Sequence, residues 1–468
     1  MYTKKYFDKI VLIVFAIGLV IALFWKTTPV MGYEKLLFDD SYVHQINLQV
    51  DDVAALWEKE EYVMADIKID EETIAGVGLR IKGNNSLSLS KEYGLSRYSY
   101  KIEFDHYEDG VTYHGLDKLT LDASFQDNSY LKTKLAYDLY QRMGVLSPLC
   151  SFAWVTINQE PIGLYVVIEE IEDGFLKRQY GNSHGQLYKP DYKRLEYDNR
   201  DIGLCYLGEM STSYPGIFDH AKTNADPEDK KNLIESIRQL NLNKDLEQYV
   251  DVDHTLRYFV VLVFTMNWDS YMGPTGHNYY LYEEQGKIQI LPWDQNLGFG
   301  TYCFEMTDPI QDNTYLINFP ILTPWYENVL ENRPLFTNLV ESYQDEYLDL
   351  FDTFLAQNID SQWLKTWFLK ESSMIAPYVK KDPSAYVSFE EHELAVSTLY
   401  QLCVDRSKSI RSQLEGSSAI TLNDLEENSK QIETSVNIPD LGNLQDLENA
   451  YDKNQILKEK LLSTSPKD

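Results

Sequence analysis

Val77-Gly-Leu-Arg-Ile-Lys-Gly-Asn-Asn-Ser86 reads as a strand that alternates apolar and polar residues and then breaks at a glycine-asparagine turn. The same alternation runs through Ile46–Val50, Ala65–Ile69 and Tyr98–Phe104. One buried face per strand is the pattern of an antiparallel sheet, so the chain from His44 to Phe104 is expected to be β-rich. Tyr130–Met143 changes to helical spacing, with Leu131, Leu135, Leu139 and Met143 on one face and Gly144 as the stop. Strands are expected again over Phe152–Ile157 and Gly163–Ile168, then a short helix ending at Tyr180.

Beyond Tyr206 the periodicity is mostly helical. Helices are expected over Pro227–Leu240, over Leu256–Trp268, which is apolar nearly all round, and over Glu390–Leu414. Two strands interrupt them, Asn278–Glu283 and Lys287–Pro292. The expected class is α+β, with a β-rich lobe at 31–205, a helix-rich lobe at 206–415 and a cleft between them. The remainder, 416–468, is polar and acidic. Its leucines at 422, 425, 441, 444 and 447 suit short amphipathic helices, while its composition equally suits a mobile tail.

Lys and Arg number 42 against 73 Asp and Glu, a net charge of −31 that repels a phosphate backbone and argues against nucleic acid as a partner. An apolar run from Ile10 to Trp25 follows Lys4, Lys5 and Lys9. As a helix it spans roughly 24 Å, a little short of a ~30 Å hydrocarbon core. The expectation is a single-pass signal anchor over 1–30, N-terminus in the cytoplasm and the rest extracytoplasmic; the alternative, a cleaved signal peptide, finds no convincing small-x-small site. Cys150, Cys205, Cys303 and Cys403 form no CxxC pair, so a zinc site is not expected.

The densest cluster of chemically unusual residues is Asn267-Trp-Asp-Ser-Tyr-Met-Gly-Pro-Thr-Gly-His-Asn278, followed by Trp293-Asp-Gln-Asn-Leu-Gly-Phe-Gly300. Asp269 follows a buried helix, while Asn278 begins one strand and Asp294 ends the next, so a hairpin brings these two close together at its base or mouth. Hard oxygen donors so placed suit Mg²⁺ or Mn²⁺, with waters and phosphates completing the shell. Each of the three is also an ordinary turn or capping residue when taken alone.

These motifs carry a resemblance. Val77–Ser86, Tyr98–Asp105, Leu119–Asp122 with Asp127, Lys134–Gly144, Gly163–Glu170, Phe175–Arg178, Gly185–Lys189 and the segments around Asp269 and Asp294 together resemble the spore coat protein H (CotH) kinase family. The resemblance covers roughly residues 46–300, with looser similarity to about 414. It implies an atypical protein-kinase-like fold and ATP-dependent phosphoryl transfer to protein side chains, Ser above all. Such a reaction is catalysed mainly by positioning and charge neutralisation. By resemblance, Lys101 is the phosphate-binding lysine, with Lys82 and the turn at Asn84 as the alternative, and Glu169 is its ion-pair partner, with Glu170 and Glu172 as competitors. Asp269 is then the acid that takes the acceptor proton, and Asn278 and Asp294 hold Mg²⁺ or Mn²⁺. Asp-to-Asn spacing here is nine positions rather than the five of ordinary kinases, and Lys132 stands where the family commonly has Arg.

The expectation is therefore a membrane-anchored extracytoplasmic protein kinase that uses ATP and acts on basic or Ser/Lys-rich proteins. A catalytically silent coat or envelope scaffold is the alternative. A metal-dependent hydrolase would use the same two aspartates.

Overall fold

A computed structural model describes residues 32–182, 184–192, 199–302, 313–426 and 430–464. The expected anchor over 1–30 lies outside these residues, and among the described residues no helix is long and apolar enough to cross a membrane. The architecture is mixed α+β.

Seven strands close into a barrel in the order β1 (His44–Val50), β2 (Val63–Ile69), β3 (Glu72–Lys82), β4 (Ser99–Glu103), β5 (Lys118–Asp122), β7 (Glu160–Glu169), β6 (Cys150–Ile157). Six of the pairings are antiparallel, and β1 runs parallel to β6, with His44 opposite Ala153 and Leu48 opposite Ile157, which removes both sheet edges. Alternation sets what each strand buries. Leu79, Ile81, Tyr100, Ile102, Leu119, Leu121, Tyr165 and Val167 fill the barrel interior. The intervening positions Arg80, Lys82, Lys101 and Thr120 are left on the outside, while Leu164, Val166 and Ile168 pack on the helical part.

The helix Lys132–Arg142 lies under β6 and β7, with Leu135, Tyr137, Leu139 and Tyr140 buried. Helices Val252–Phe264 and Phe389–Leu414 form the centre of the helical part, the latter started by a capping box between Ser388 and Glu391. A second sheet orders β10 (Lys287–Pro292), β9 (Tyr279–Glu284) and β8 (Gln186–Tyr188).

Two local outcomes differ from the sequence reading. After Gly83, at φ +123°, the expected turn becomes the helix Asn85–Glu92, whose start brings Ser86 so close that any Cβ at 83 would meet its Oγ at 2.5 Å. The C-terminal segment also takes its amphipathic reading. The helix Tyr451–Ser463 sets Leu457 and Leu461 into the barrel-side core, and Ser96 donates to the Asn454 carbonyl at 2.9 Å. Leu441 accepts from the Asn128 backbone at 2.8 Å, and Leu447 packs with Leu95, Phe125 and Tyr386.

Candidate functional site

The cleft is built where the outward face of β3, β4 and β5 meets the loops at the ends of the helix Val252–Phe264 and of β10. Those loops are tied together. Asn267 donates from Nδ2 to Gln295 Oε1 at 3.1 Å, the Gly300 N–H reaches the Met266 carbonyl at 3.3 Å, and the Phe299 N–H reaches Thr265 O. The register of β9 against β10, Tyr279 opposite Pro292, then sets Asn278 and Asp294 at one end of the hairpin. Both take left-handed backbone angles, φ +57° and +53°, which Asn and Asp tolerate better than other side chains and which cluster at functional sites.

Asn278 Nδ2 donates to the carbonyl and to Oδ2 of Asp269, each at 3.0 Å. Burial pushes the Asp269 carboxyl up to about 7, and nearby Asp294 adds to the rise while the Asn278 hydrogen bond opposes it. The Asp294 carboxylate and Asn278 Oδ1 accept no hydrogen bond among the described residues, so hard oxygen donors stand open in the cleft. Among the described residues no three His, Cys, Asp or Glu side chains gather as a ready-made metal cage. A few protein oxygens completed by phosphate oxygens and water is how Mg²⁺ is usually held, and Asp294 with Asn278 fits that donor set. His277, with Nε2 3.7 Å from Asp269, is held down to about 4 by burial and by Lys189, which keeps it neutral.

Lys101 meets different carboxylates from the one the sequence reading favours. Its Nζ lies 3.0 Å from Glu170 and 3.2 Å from Glu172. Glu169, one residue back, points to the other side of the strand, where it accepts from Tyr33 at 2.5 Å, from both guanidinium edges of Arg178 and from the Leu149 N–H at 3.0 Å. The physical reason is parity. Tyr165 and Val167 face the barrel interior and Glu169 continues that row, whereas Glu170 continues the outward row that meets Lys101 and Thr120. Burial alone would raise the Glu170 carboxyl, but Lys101, with Lys82 and Lys189 behind it, holds it well below the usual carboxylate range.

Lys82 stands with Nζ 5.3 Å from the Trp293 ring centre, and Asn84 caps the following helix with its backbone but without a side-chain hydrogen bond. Asp122, at the end of β5, is pushed up to about 6 by burial, offset by Lys82 and reinforced by Asp294. Lys132 is buried, donates to Gln126 O at 2.7 Å and Thr301 Oγ1 at 3.0 Å, and is pushed down to about 8 by burial. It fastens the loop after β5 to the loop after β10. The site therefore gathers Asp269, Asn278, Asp294, Lys82 and Lys101, takes the competitors Glu170 and Glu172 in place of Glu169, which lies on the far side of β7, and adds Asp122 and Lys189. A surface cavity of about 380 Å³ lined by Asp40, Asp138, Arg142, Trp363 and Trp367 contains none of these groups.

Residues 79–434 match the family described as CotH kinase protein. The chain belongs to that family. Inner spore coat protein H of Bacillus subtilis is 23% identical over 368 residues, covering 77% of this chain and 92% of that protein. Spore coat protein homolog 1 of Rhizopus delemar is 24% identical over 238 residues, 48% of this chain and 36% of its own length. Invasin CotH7 of the same fungus is 23% identical over 265 residues, 55% of this chain and 42% of its own length. The CotH match begins in β3 and runs through the whole cleft, so the cleft groups Lys82, Lys101, Asp122, Glu170, Lys189, Asp269, Asn278 and Asp294 all lie within it.

Proposed function

We propose that this CotH family protein transfers the γ-phosphoryl group of ATP to protein hydroxyl groups, Ser foremost. The observation that carries the reading is the buried Asp269–Asn278 pair beside an open Asp294 carboxylate, facing a lysine-rich wall on β3 and β4. A carboxyl lifted towards 7 is poised to accept a proton near neutral pH. Asp269 takes the proton of the acceptor hydroxyl as its oxygen bonds to the γ-phosphorus, and the bond to the β–γ bridging oxygen breaks to release ADP. Asn278 fixes the orientation of Asp269. Asp294 and Asn278 Oδ1 would hold Mg²⁺ or Mn²⁺, whose charge offsets that of the phosphates. Lys101 is held charged by Glu170 and Glu172 at the entrance to the phosphate path.

The charge of −31 makes basic or Ser/Lys-rich proteins the better acceptors. Relatives named as spore coat proteins support a place in a spore envelope, with the apolar run over 10–25 as its membrane anchor. The test is to incubate the purified protein with γ-labelled ATP, Mn²⁺ or Mg²⁺ and a Ser/Lys-rich peptide. Label on the peptide that disappears when the metal is chelated supports the reading; unlabelled peptide and unlabelled protein contradict it.

A further inference from the structure

Away from the cleft, the cavity of about 380 Å³ lies between the first turns of the helix Trp363–Val379, the end of the helix Lys132–Arg142 and the loop that carries Asp40. That volume is near the lower end of pockets that hold small molecules and too little for a folded partner. Two indoles line it, the half-buried Trp363 and the buried Trp367, with ring centres 6.2 Å apart and planes tilted by 43°. Trp367 is fixed by its Nε1–H, which donates to Asp138 at 2.6 Å. Beside Trp363 stands the Arg142 guanidinium, 4.4 Å from the ring centre, held by Asn358 Oδ1 and the Gln357 carbonyl, each at 2.7 Å.

The charges around this cavity are matched. Asp40 and Asp138 on its wall are opposed by Arg142 and Lys370, and the buried Lys134 and Glu371 behind it oppose each other. Asp40 accepts from Lys370 at 3.0 Å and from Lys134 at 3.3 Å, and Asp138 accepts from Lys134 at 2.7 Å. An ion entering here finds no unmatched charge to offset the hydration it loses. What stays available is hydrogen-bonding capacity of both kinds. Gln141 spends an amide N–H on the Pro148 carbonyl at 2.9 Å and keeps Oε1 as an acceptor. Arg142 Nη1 donates to nothing among the described residues, and the two carboxylates have lone pairs to spare. A purely apolar guest would leave these groups stranded. A sugar ring meets both demands, because each hydroxyl donates and accepts while its C–H face packs on an indole.

We propose that this cavity binds a neutral saccharide of one or two rings. Trp363 is its stacking surface, and Gln141, Arg142, Asp40 and Asp138 are its hydroxyl partners. The cavity shares no group with the cleft around Asp269, so the site stands independently of the kinase reading.

The full-length protein is titrated with N,N′-diacetylchitobiose, cellobiose and maltose, followed by tryptophan fluorescence and saturation-transfer NMR, alongside Trp363→Ala and Thr366→Arg. Thr366 lines the cavity and is exposed, so a long side chain there fills the space while the core stays untouched. At least one of the three sugars should bind, and each variant should bind it at least tenfold more weakly, Thr366→Arg with the parental unfolding temperature. Glucose should bind more tightly than its charged relatives glucosamine and glucuronate. No binding of any of the three disaccharides, or binding that survives both substitutions, overturns the site. Tighter binding of glucosamine or glucuronate than of glucose overturns the assignment of a neutral ligand. Transfer of label from ATP is measured on the same parent protein. Saccharide binding without transfer leaves the site standing and removes the kinase reading, and transfer without saccharide binding does the reverse.

Discussion

Glu169 and Glu170 are adjacent in the chain and face opposite sides of β7, so conservative substitutions separate a packing role from a role in the cleft. The Lys101–Glu170 contact is 3.0 Å long between side chains only 12% and 3% exposed. Its gross Coulomb energy is about 5.5 kcal/mol at an effective dielectric constant of about 20. Glu170→Gln keeps a hydrogen-bond acceptor, and Glu172 at 3.2 Å still neutralises Lys101. The net stability loss should therefore be only about 1–2 kcal/mol, while misplacement of Lys101 and its neighbours should slow phosphoryl transfer by roughly 10²-fold. Glu169→Gln should do the opposite. It strips the buried Arg178 guanidinium of its main partner, leaving Glu34 at 3.9 Å, and should cost about 3–5 kcal/mol with transfer per folded molecule preserved. Denaturant unfolding and single-turnover label transfer, normalised to the folded fraction, measure both quantities on the same samples. A Glu169→Gln protein that folds normally but has lost transfer, beside a Glu170→Gln protein that transfers normally, would refute the assignment.

Three further perturbations probe the scaffold. Burial pushes the Asp117 carboxyl up to about 7, against the Gly174 N–H it accepts and with Glu172 adding to the rise. The unfolded chain titrates this group near ~3.9, so its contribution to stability is complete below that pH and is lost as pH rises through about 7. Asp117→Asn should flatten the fall in stability between pH 5 and pH 8 in urea titrations, and an unchanged slope would count against this. Leu461→Ala should lower stability by about 2–4 kcal/mol, because its side chain is fully enclosed in the barrel-side core; a thermal melt that does not move would mean the C-terminal helix is not seated there. Gly163→Ala should prevent normal folding: the position has φ +124°, and a Cβ would stand 2.3 Å from Asp382 Oδ1, whose carboxylate holds the buried Arg97 at 3.0 Å. Recovery of a soluble variant with parental stability would show that this ion pair can be displaced without cost.

Much of the β framework was legible because each strand has one buried face. Lys287–Pro292 appears as read, and the long helix Phe389–Leu414 begins one residue before its expected start, where Ser388 supplies the cap. Closure of the barrel was not legible. It rests on the parallel pairing of β1 with β6, residues more than a hundred positions apart, for which no local pattern exists. The helix Asn85–Glu92 was hidden because Asn-Ser-Leu-Ser-Leu-Ser has weak helix propensity and alternates like a strand. In the cleft, Asn278 and Asp294 could be grouped from the hairpin, while Asp269, on the preceding loop, joined them through the family resemblance. Choosing among Glu169, Glu170 and Glu172 required knowing which row of β7 faces inward, and an apolar run buried on both sides conceals that. Lys189 closes the Gly185–Lys189 motif of the resemblance but drew no role from it; its place 5.4 Å from the centre of the Trp293 ring appears only in the fold.

Metal-dependent phosphoryl transfer from ATP by Asp269 and Asp294 is measured by single-turnover transfer of γ-label in the parent, Asp269→Asn and Asp294→Ala, with ATP binding followed in parallel. Asp269→Asn is expected to bind ATP as the parent does yet to transfer at least about 10²-fold more slowly, for want of the group that takes the acceptor proton. Asp294→Ala should lose transfer together with the metal-dependent part of ATP affinity. Parental transfer rates in both variants would remove both aspartates from the reaction.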